Sequence, residues 1–129
     1  MTGLETAEVL GKSNHTTVVE MMDDVGTSLH ASVRSVLLQR LGELDVKILT
    51  GYRLDSIESD HVILKATKDS SARESKADAV VIAIGVRPRK KLVEKFEAAF
   101  DKITSVGDAH RPGLIGDAIR EANDKAFVF

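Results

Sequence analysis

Apolar residues recur along the chain with two different spacings, and the alternation between them divides it into helical and extended stretches. Leu4, Ala7 and Leu10 follow Gly3 at three-residue steps, which predicts a short helix with one apolar face and Gly11 as its stop. Thr16 to Val19 is a β-branched run closed by Glu20, the pattern of a buried strand. Leu29, Val33, Val36, Leu37 and Leu41 return to helical spacing, with Thr27 or Ser28 as the cap. Arg34, Gln39 and Arg40 fall on the outer side of that helix and Gly42 at its far end. Val46 to Thr50 is extended again. Strand, helix, strand is the order that a parallel sheet requires.

Beyond Thr50 the alternation shortens. Arg53 to Ile57 and His61 to Ala66 are alternating runs joined at Glu58-Ser59-Asp60, and Arg73 to Lys76 adds a third, which predicts a small antiparallel meander. Ala79 to Ile84 is a continuous apolar run between Asp78 and Gly85; such a run predicts a central strand buried on both faces. Pro88 makes a turn by biasing Arg87 to an extended backbone. Leu92, Val93, Phe96 and Phe100 then predict a helix with Lys90, Lys91 and Lys95 outside. Ile103 to Val106 reads as a short strand ending at Gly107-Asp108, and Ile115, Ala118, Ile119 and Ala122 as a last helix directed toward the apolar Ala126 to Phe129 end. The expected fold class is α/β: a Rossmann-like three-layer fold with a parallel sheet and a small antiparallel β-meander, its first strand missing.

Composition narrows the chemistry. With 18 basic and 20 acidic side chains among 129 residues and a net charge of −2, the chain has no basic stripe of the kind that phosphate backbones require, so nucleic acid is not an expected partner. It has no cysteine, which removes disulfides, a redox Cys-x-x-Cys and thiolate ligands for zinc or iron–sulfur clusters; any redox chemistry must come from a bound cofactor. The longest apolar run is far too short to span a bilayer, and the start lacks the basic and apolar regions of a signal peptide, so a cytoplasmic protein without a membrane partner is expected. His15, His30, His61 and His110 are scattered without ligand spacing, and no metal site is expected. No Gly-x-Ser-x-Gly elbow supports a hydrolase. Met21 and Met22 read as core filler.

The opening stretch carries the strongest chemical signal. In a dinucleotide-binding βαβ unit the last glycine of a Gly-x-Gly-x-x-Gly turn lets helix and strand pack closely, and a carboxylate after the second strand accepts the ribose hydroxyls. Gly3 stands in the first position and Glu20 in the second. No Arg or Lys follows Glu20 within the next few residues to meet a 2′-phosphate, which favours NAD(H) over NADP(H). Each residue also has an ordinary reading: Glu20 as a solvated carboxylate, Gly85 as a tight turn, Gly107-Asp108 as a common turn pair. A methyltransferase-like Rossmann domain would use the same acidic residue but leaves the Gly85 turn and the Gly107-Asp108 pair unexplained.

Taken in order, Gly3-Leu4-Glu5-Thr6-Ala7, Val18-Val19-Glu20, Ala79 to Pro88 and Thr104 to Ala109 resemble the FAD/NAD(P)-binding flavoproteins of the pyridine-nucleotide oxidoreductase type. Within that group the chain looks most like the C-terminal region of NADH:flavin oxidoreductases such as 2,4-dienoyl-CoA reductase and trimethylamine dehydrogenase. The resemblance implies NADH and FAD as cofactors, with hydride passing from one to the other. It implies an NAD(P)-binding domain at residues 1–85 and a segment returning to the FAD-binding domain at 86–129. Gly3 then matches the third glycine of the fingerprint, Glu20 its ribose carboxylate, and Glu5 an acidic position near nicotinamide and flavin. Gly85 matches the glycine at which backbone approaches the cofactor, and Asp108 the aspartate that accepts a hydrogen bond from the flavin ribityl chain. No catalytic residue is assigned. Two earlier fingerprint glycines, the strand before them and the first FAD glycine motif have no counterpart, Arg89 stands where an Asn is common, and Ala122-Asn123 where a glycine is usual. The resemblance therefore implies a fragment with a vacant central slot in its sheet. Ile103 to Val106, the Phe127 to Phe129 end or a strand of a second copy is expected to fill it, the last making a homodimer through an open sheet edge. The alternative expectation is a catalytically silent α/β domain with weak nucleotide binding or self-association only.

Overall fold

A computed structural model describes residues 1–128. Its elements in chain order are α1 (Thr2–Gly11), β1 (Thr17–Glu20), α2 (Ala31–Glu43), β2 (Lys47–Thr50), β3 (Tyr52–Ile57), β4 (His61–Ala66), β5 (Ala72–Lys76), α3 (Lys90–Ala99), a single 3₁₀ turn at Gly107–Ala109, and α4 (Ile115–Ala126). The chain divides into two units, Met1–Ala83 and Ile84–Phe129.

The first unit is built on the parallel pair β1–β2, with Val18 opposite Ile48 and Glu20 opposite Thr50. Its core consists of Leu4 and Ala7 of α1, Leu37 and Leu41 of α2, Val25 and Val46, with Val18, Leu29, Leu38 and Leu44 packed against them. Leu41 is wholly removed from solvent, and burying a leucine contributes roughly 1.5–3 kcal/mol. The three-stranded antiparallel sheet β3-β4-β5 follows, with β4 in the middle; Val62 and Leu64, two residues apart on one face of β4, are its buried residues. A register shift between Leu54 and Ser56 marks a bulge in β3. The meander closes on itself where Thr67 N and Oγ1 donate to Gly51 O at 2.8 and 3.1 Å. The second unit holds α3 with Phe96 and Phe100 stacked at 6.3 Å, the 3₁₀ turn and α4.

The α/β class, the parallel pair and the meander agree with the sequence pattern; other expectations need correction. Residues 79–84 form no strand. The run has no ladder partner among the described residues, and Ile84 is 91% exposed, because apolar character favours burial but only a neighbouring strand's backbone makes a strand. Residues 103–106 are likewise extended without pairing, so they do not fill a sheet position, and residues 127–128 lie beyond the end of α4 without pairing either. Phe129 lies outside the described residues. On α2 the cap is His30 rather than Thr27 or Ser28; those two and Leu29 belong to the preceding turn, closed by Leu29 N donating to Gly26 O at 3.0 Å. Val33 and Val36 are exposed, since α2 turns Leu37 and Leu41 inward instead. Leu10 also lies at the surface. α1 does end at Gly11, but not through a left-handed turn: the cap residue Lys12 is right-handed, and a Cβ on Gly11 would come within 2.6 Å of Val46 Cγ2. Met21 and Met22 are exposed in the loop after β1 rather than buried.

Candidate functional site

In the first unit the chain reverses between α1 and β1, so the N-terminal turn of α1 and the carboxyl end of β1 lie at the same end. Leu4 confirms the approach, because a Cβ on Gly26, six residues past the end of β1, would lie 3.0 Å from Leu4 Cδ1. Gly3 is in that first turn of α1, and a Cβ on it would meet the Ala83 Cβ at 3.1 Å. Any larger residue would push α1 away from the 79–83 segment. Glu5 is exposed on the same turn. Glu20 ends β1, half-buried, and its Oε1 accepts a hydrogen bond from Met22 N at 3.0 Å. That bond leaves the other carboxylate oxygen available to a ligand. Gly3, Glu5 and Glu20 are thus brought to one end of the unit.

Arg34 departs from its expected outward position. Its Nε donates to Val25 O at 2.7 Å and its Nη2 pairs with Asp24, which ties α2 to the loop after β1. The same side chain borders an open cleft of about 480 Å³ shared with Thr27, Leu29, Ser35 and Leu38. The arginine is therefore already engaged by a carboxylate, and its positive charge is largely offset.

The second unit contains Gly85 and Asp108. Gly85 has φ +85°, and nothing lies within 4 Å of where a Cβ would stand, so glycine is required there by the backbone and not by crowding. Asp108 is exposed in the middle of the 3₁₀ turn, its Oδ1 accepting from Gly113 N at 3.3 Å; α4 begins only at Ile115, further along than a helix immediately after the turn would. Gly107 is buried at φ +56°, and a Cβ on it would stand 2.9 Å from the Ala118 Cβ. Its N–H donates to Glu121 Oε2 at 2.8 Å. Glu121 Oε1 pairs with His110 Nδ1 and, at 3.2 Å, with Lys125 Nζ. The Gly107 N–H first, then Lys125 and His110, hold the Glu121 carboxyl below the usual carboxylate value. At the start of α4, Asp117 accepts from Leu114 N at 2.9 Å and pairs with Arg120, and both lower its pKa.

Two strands paired in parallel, helices packed on them and a carboxylate closing the first strand define a mixed α/β protein of Rossmann-like type. The particular family follows from comparison: the pattern of the pyridine nucleotide-disulphide oxidoreductases matches residues 1–110, and the chain belongs to that family of flavin-dependent pyridine-nucleotide oxidoreductases. The chain is 31% identical over 123 residues to bilirubin reductase of Mediterraneibacter gnavus, covering 94% of this chain and 19% of that protein. Against a metal reductase of Desulforamulus reducens it is 26% identical, covering 88% of this chain and 17% of the other. It thus spans about a fifth of the length of these relatives. Among solved structures, histamine dehydrogenase from a Rhizobium species shares the fold at a TM-score of 0.81 and 19% identity, over 95% of this chain and 19% of that one. The 6-hydroxypseudooxynicotine amine oxidase of Pseudomonas geniculata does so at 0.78 and 23%, over 94% and 19%. No helix among the described residues is long and apolar enough to cross a membrane.

Sequence reasoning set Arg34 on the outer side of its helix and His110 among histidines without ligand spacing, and did not single out Glu121. The i, i+4 pair Glu121 and Lys125 was a visible signal of a charged helix face. Nothing in local spacing linked that face to Gly107, fourteen residues earlier.

Proposed function

We propose that this chain is part of a flavin-dependent oxidoreductase that binds NADH and passes hydride to FAD, with residues 1–85 serving the nicotinamide nucleotide and 86–129 the flavin. The observation that carries the reading is Glu20, a carboxylate at the end of a parallel strand with one oxygen held by Met22 N at 3.0 Å. Its free oxygen suits the ribose hydroxyls of an adenosine. In the first turn of α1 the Leu4 and Glu5 N–H groups bond Met1 O at 3.0 and 3.2 Å, which leaves those of Thr2 and Gly3, with the close approach at Gly3, to suit a pyrophosphate. When bound, the two cofactors supply the hydride donor and its two-electron acceptor. The chain's own residues bind and orient: Glu20 the ribose, Gly3 the backbone approach, Glu5 the carboxylate edge of that site, Gly85 a cofactor-facing turn, Asp108 the ribityl chain. Arg34, engaged by Asp24 and Val25, is in keeping with NADH rather than NADPH, since a 2′-phosphate would have to displace a carboxylate to reach it. The cytoplasm is retained as the location on composition alone.

A second reading is favoured by the unpaired run 79–84 and by Val19 and Ile48, both more than a third exposed on β1 and β2. There the chain on its own is silent in catalysis and associates with itself through the open edge of its sheet. A fluorescence titration with NADH and NADPH separates the two. The first reading expects saturable binding of NADH, weakened roughly tenfold or more in Glu20→Ala, as for loss of a charge-assisted hydrogen bond. Absence of NADH binding, or equal affinity in Glu20→Ala, would reject it.

A further inference from the structure

We propose that Glu121 is a positioning residue for Asp108, fixing from α4 the turn that presents the Asp108 carboxylate to flavin; the inference rests on the flavin reading given above. Asp108 has little to hold it in place by itself. It is exposed, and its Oδ1 accepts only a long bond from Gly113 N at 3.3 Å. The residues on either side of it are tied down by one carboxylate. Glu121 Oε2 takes the Gly107 N–H at 2.8 Å, while Oε1 engages His110 Nδ1. Lys125, one helical turn further on, bonds Glu121 Oε1 at 3.2 Å and also donates to Ser105 O at 2.7 Å. Residues 105, 107 and 110 are thereby attached to the same face of α4.

Gly107 completes the seat. Its φ of +56° turns the backbone sharply, and its missing Cβ makes room for Ala118, three residues before Glu121 on that face. The Gly107 N–H, Lys125 Nζ on its own helix and the His110 ring on the turn all face the Glu121 carboxylate and favour its ionised form. An ionised acceptor holds a backbone N–H more strongly than a neutral one. Truncating Glu121 frees Gly107 N and removes the carboxylate shared by Lys125 and His110, so the turn around Asp108 then rests on its own backbone bonds, Gly107 O accepting from His110 N at 2.9 Å and Arg111 N at 2.7 Å.

The test uses the full chain with Asp108→Ala, Glu121→Ala, Glu121→Gln and the Asp108→Ala/Glu121→Ala double variant, read by amide hydrogen exchange at residues 105–110 and by FAD titration followed by flavin fluorescence. In Glu121→Ala the Gly107 amide is expected to exchange about tenfold faster, while β1 to β5 are unchanged. Glu121→Gln, which keeps the volume and one acceptor, restores much of that protection. FAD is expected to bind about tenfold more weakly in Glu121→Ala, and the double variant no more weakly than Asp108→Ala, because the two residues act as one unit. Unchanged exchange at Gly107 in Glu121→Ala overturns the inference whatever flavin does. Weakening by Asp108→Ala but not by Glu121→Ala overturns it too, and leaves the flavin reading standing. If FAD does not bind, or Asp108→Ala is without effect on it, the flavin reading falls and the inference as stated falls with it; faster exchange confined to 105–110 in Glu121→Ala would then show that this failure lies in the flavin reading and not in the anchoring of the turn.

Discussion

Replacing Leu41 by alanine tests which face of α2 holds the first unit together. Leu41 is fully buried in the cluster with Leu4, Ala7, Leu37 and Val46, whereas Val33 on the same helix is 55% exposed. Transfer of three buried carbons accounts for roughly 2.4 kcal/mol at about 0.8 each. The cavity left behind brings the cost to about 3–4 kcal/mol, a large part of the 5–15 kcal/mol typical of a domain. At a urea slope of about 1.5 kcal/mol per M the midpoint falls by roughly 2 M. Val33→Ala removes little buried surface and gains a few tenths of a kcal/mol in helix propensity, so its midpoint stays within about 0.5 M of the parent. Tyr52 is the single tyrosine in a chain without tryptophan and lies in β3 of the same unit, so its emission follows the unfolding of that unit alone. Equal midpoint shifts for Leu41→Ala and Val33→Ala would refute the packing described.

Two further outcomes follow from close contacts. Gly11→Ala gains about 1 kcal/mol in helix propensity but overpacks against Val46 Cγ2, 2.6 Å from the added Cβ, at about 1–3 kcal/mol, so a net loss is expected. In a Val46→Ala background the same change becomes stabilising, and urea unfolding of the parent, the two single variants and the double variant shows whether the sign reverses. His61 is bonded to Asp60 at 2.8 Å, and that carboxylate first, with Glu74 and Glu58 adding, raises its pKa above 6.5. Its contribution to the meander is therefore fully present below 6.5 and lost as pH rises through the raised value. An NMR titration of the imidazole checks this, with Asp60→Asn moving the midpoint back toward 6.5.

Much of the architecture is legible in the residue pattern, because period and turn chemistry are local properties. Alternation over Arg53 to Ile57 and His61 to Ala66 marked two strands of the meander whose bounds are Tyr52–Ile57 and His61–Ala66. The β-branched run before Glu20 and the run after Asp45 gave the parallel pair for the same reason. Of the five candidate site residues, Gly3 and Glu20 were suggested by type and spacing and Glu5, Gly85 and Asp108 by the family resemblance, but the partners of none were. Glu20 meets Met22 N, and Asp108 meets Gly113 N, through turns that spacing does not specify.

Tertiary structure decided what depends on a neighbour far along the chain. Leu37 and Leu41 face inward and Val33 and Val36 outward because α1 lies against one side of α2, a choice that helical periodicity leaves open. Ala79 to Ile84 reads as a buried strand yet forms none, since the ladder needs a second backbone and residue type supplies only the preference for burial. Glu121 reaches Gly107 across fourteen residues, and Arg34 reaches Asp24 across ten. The sequence by itself thus determined the α/β order and the meander. The helix face that is buried, the run that stays unpaired and the carboxylate that anchors the Asp108 turn were settled only by packing, where a side chain's partner is whatever the fold brings within bonding distance.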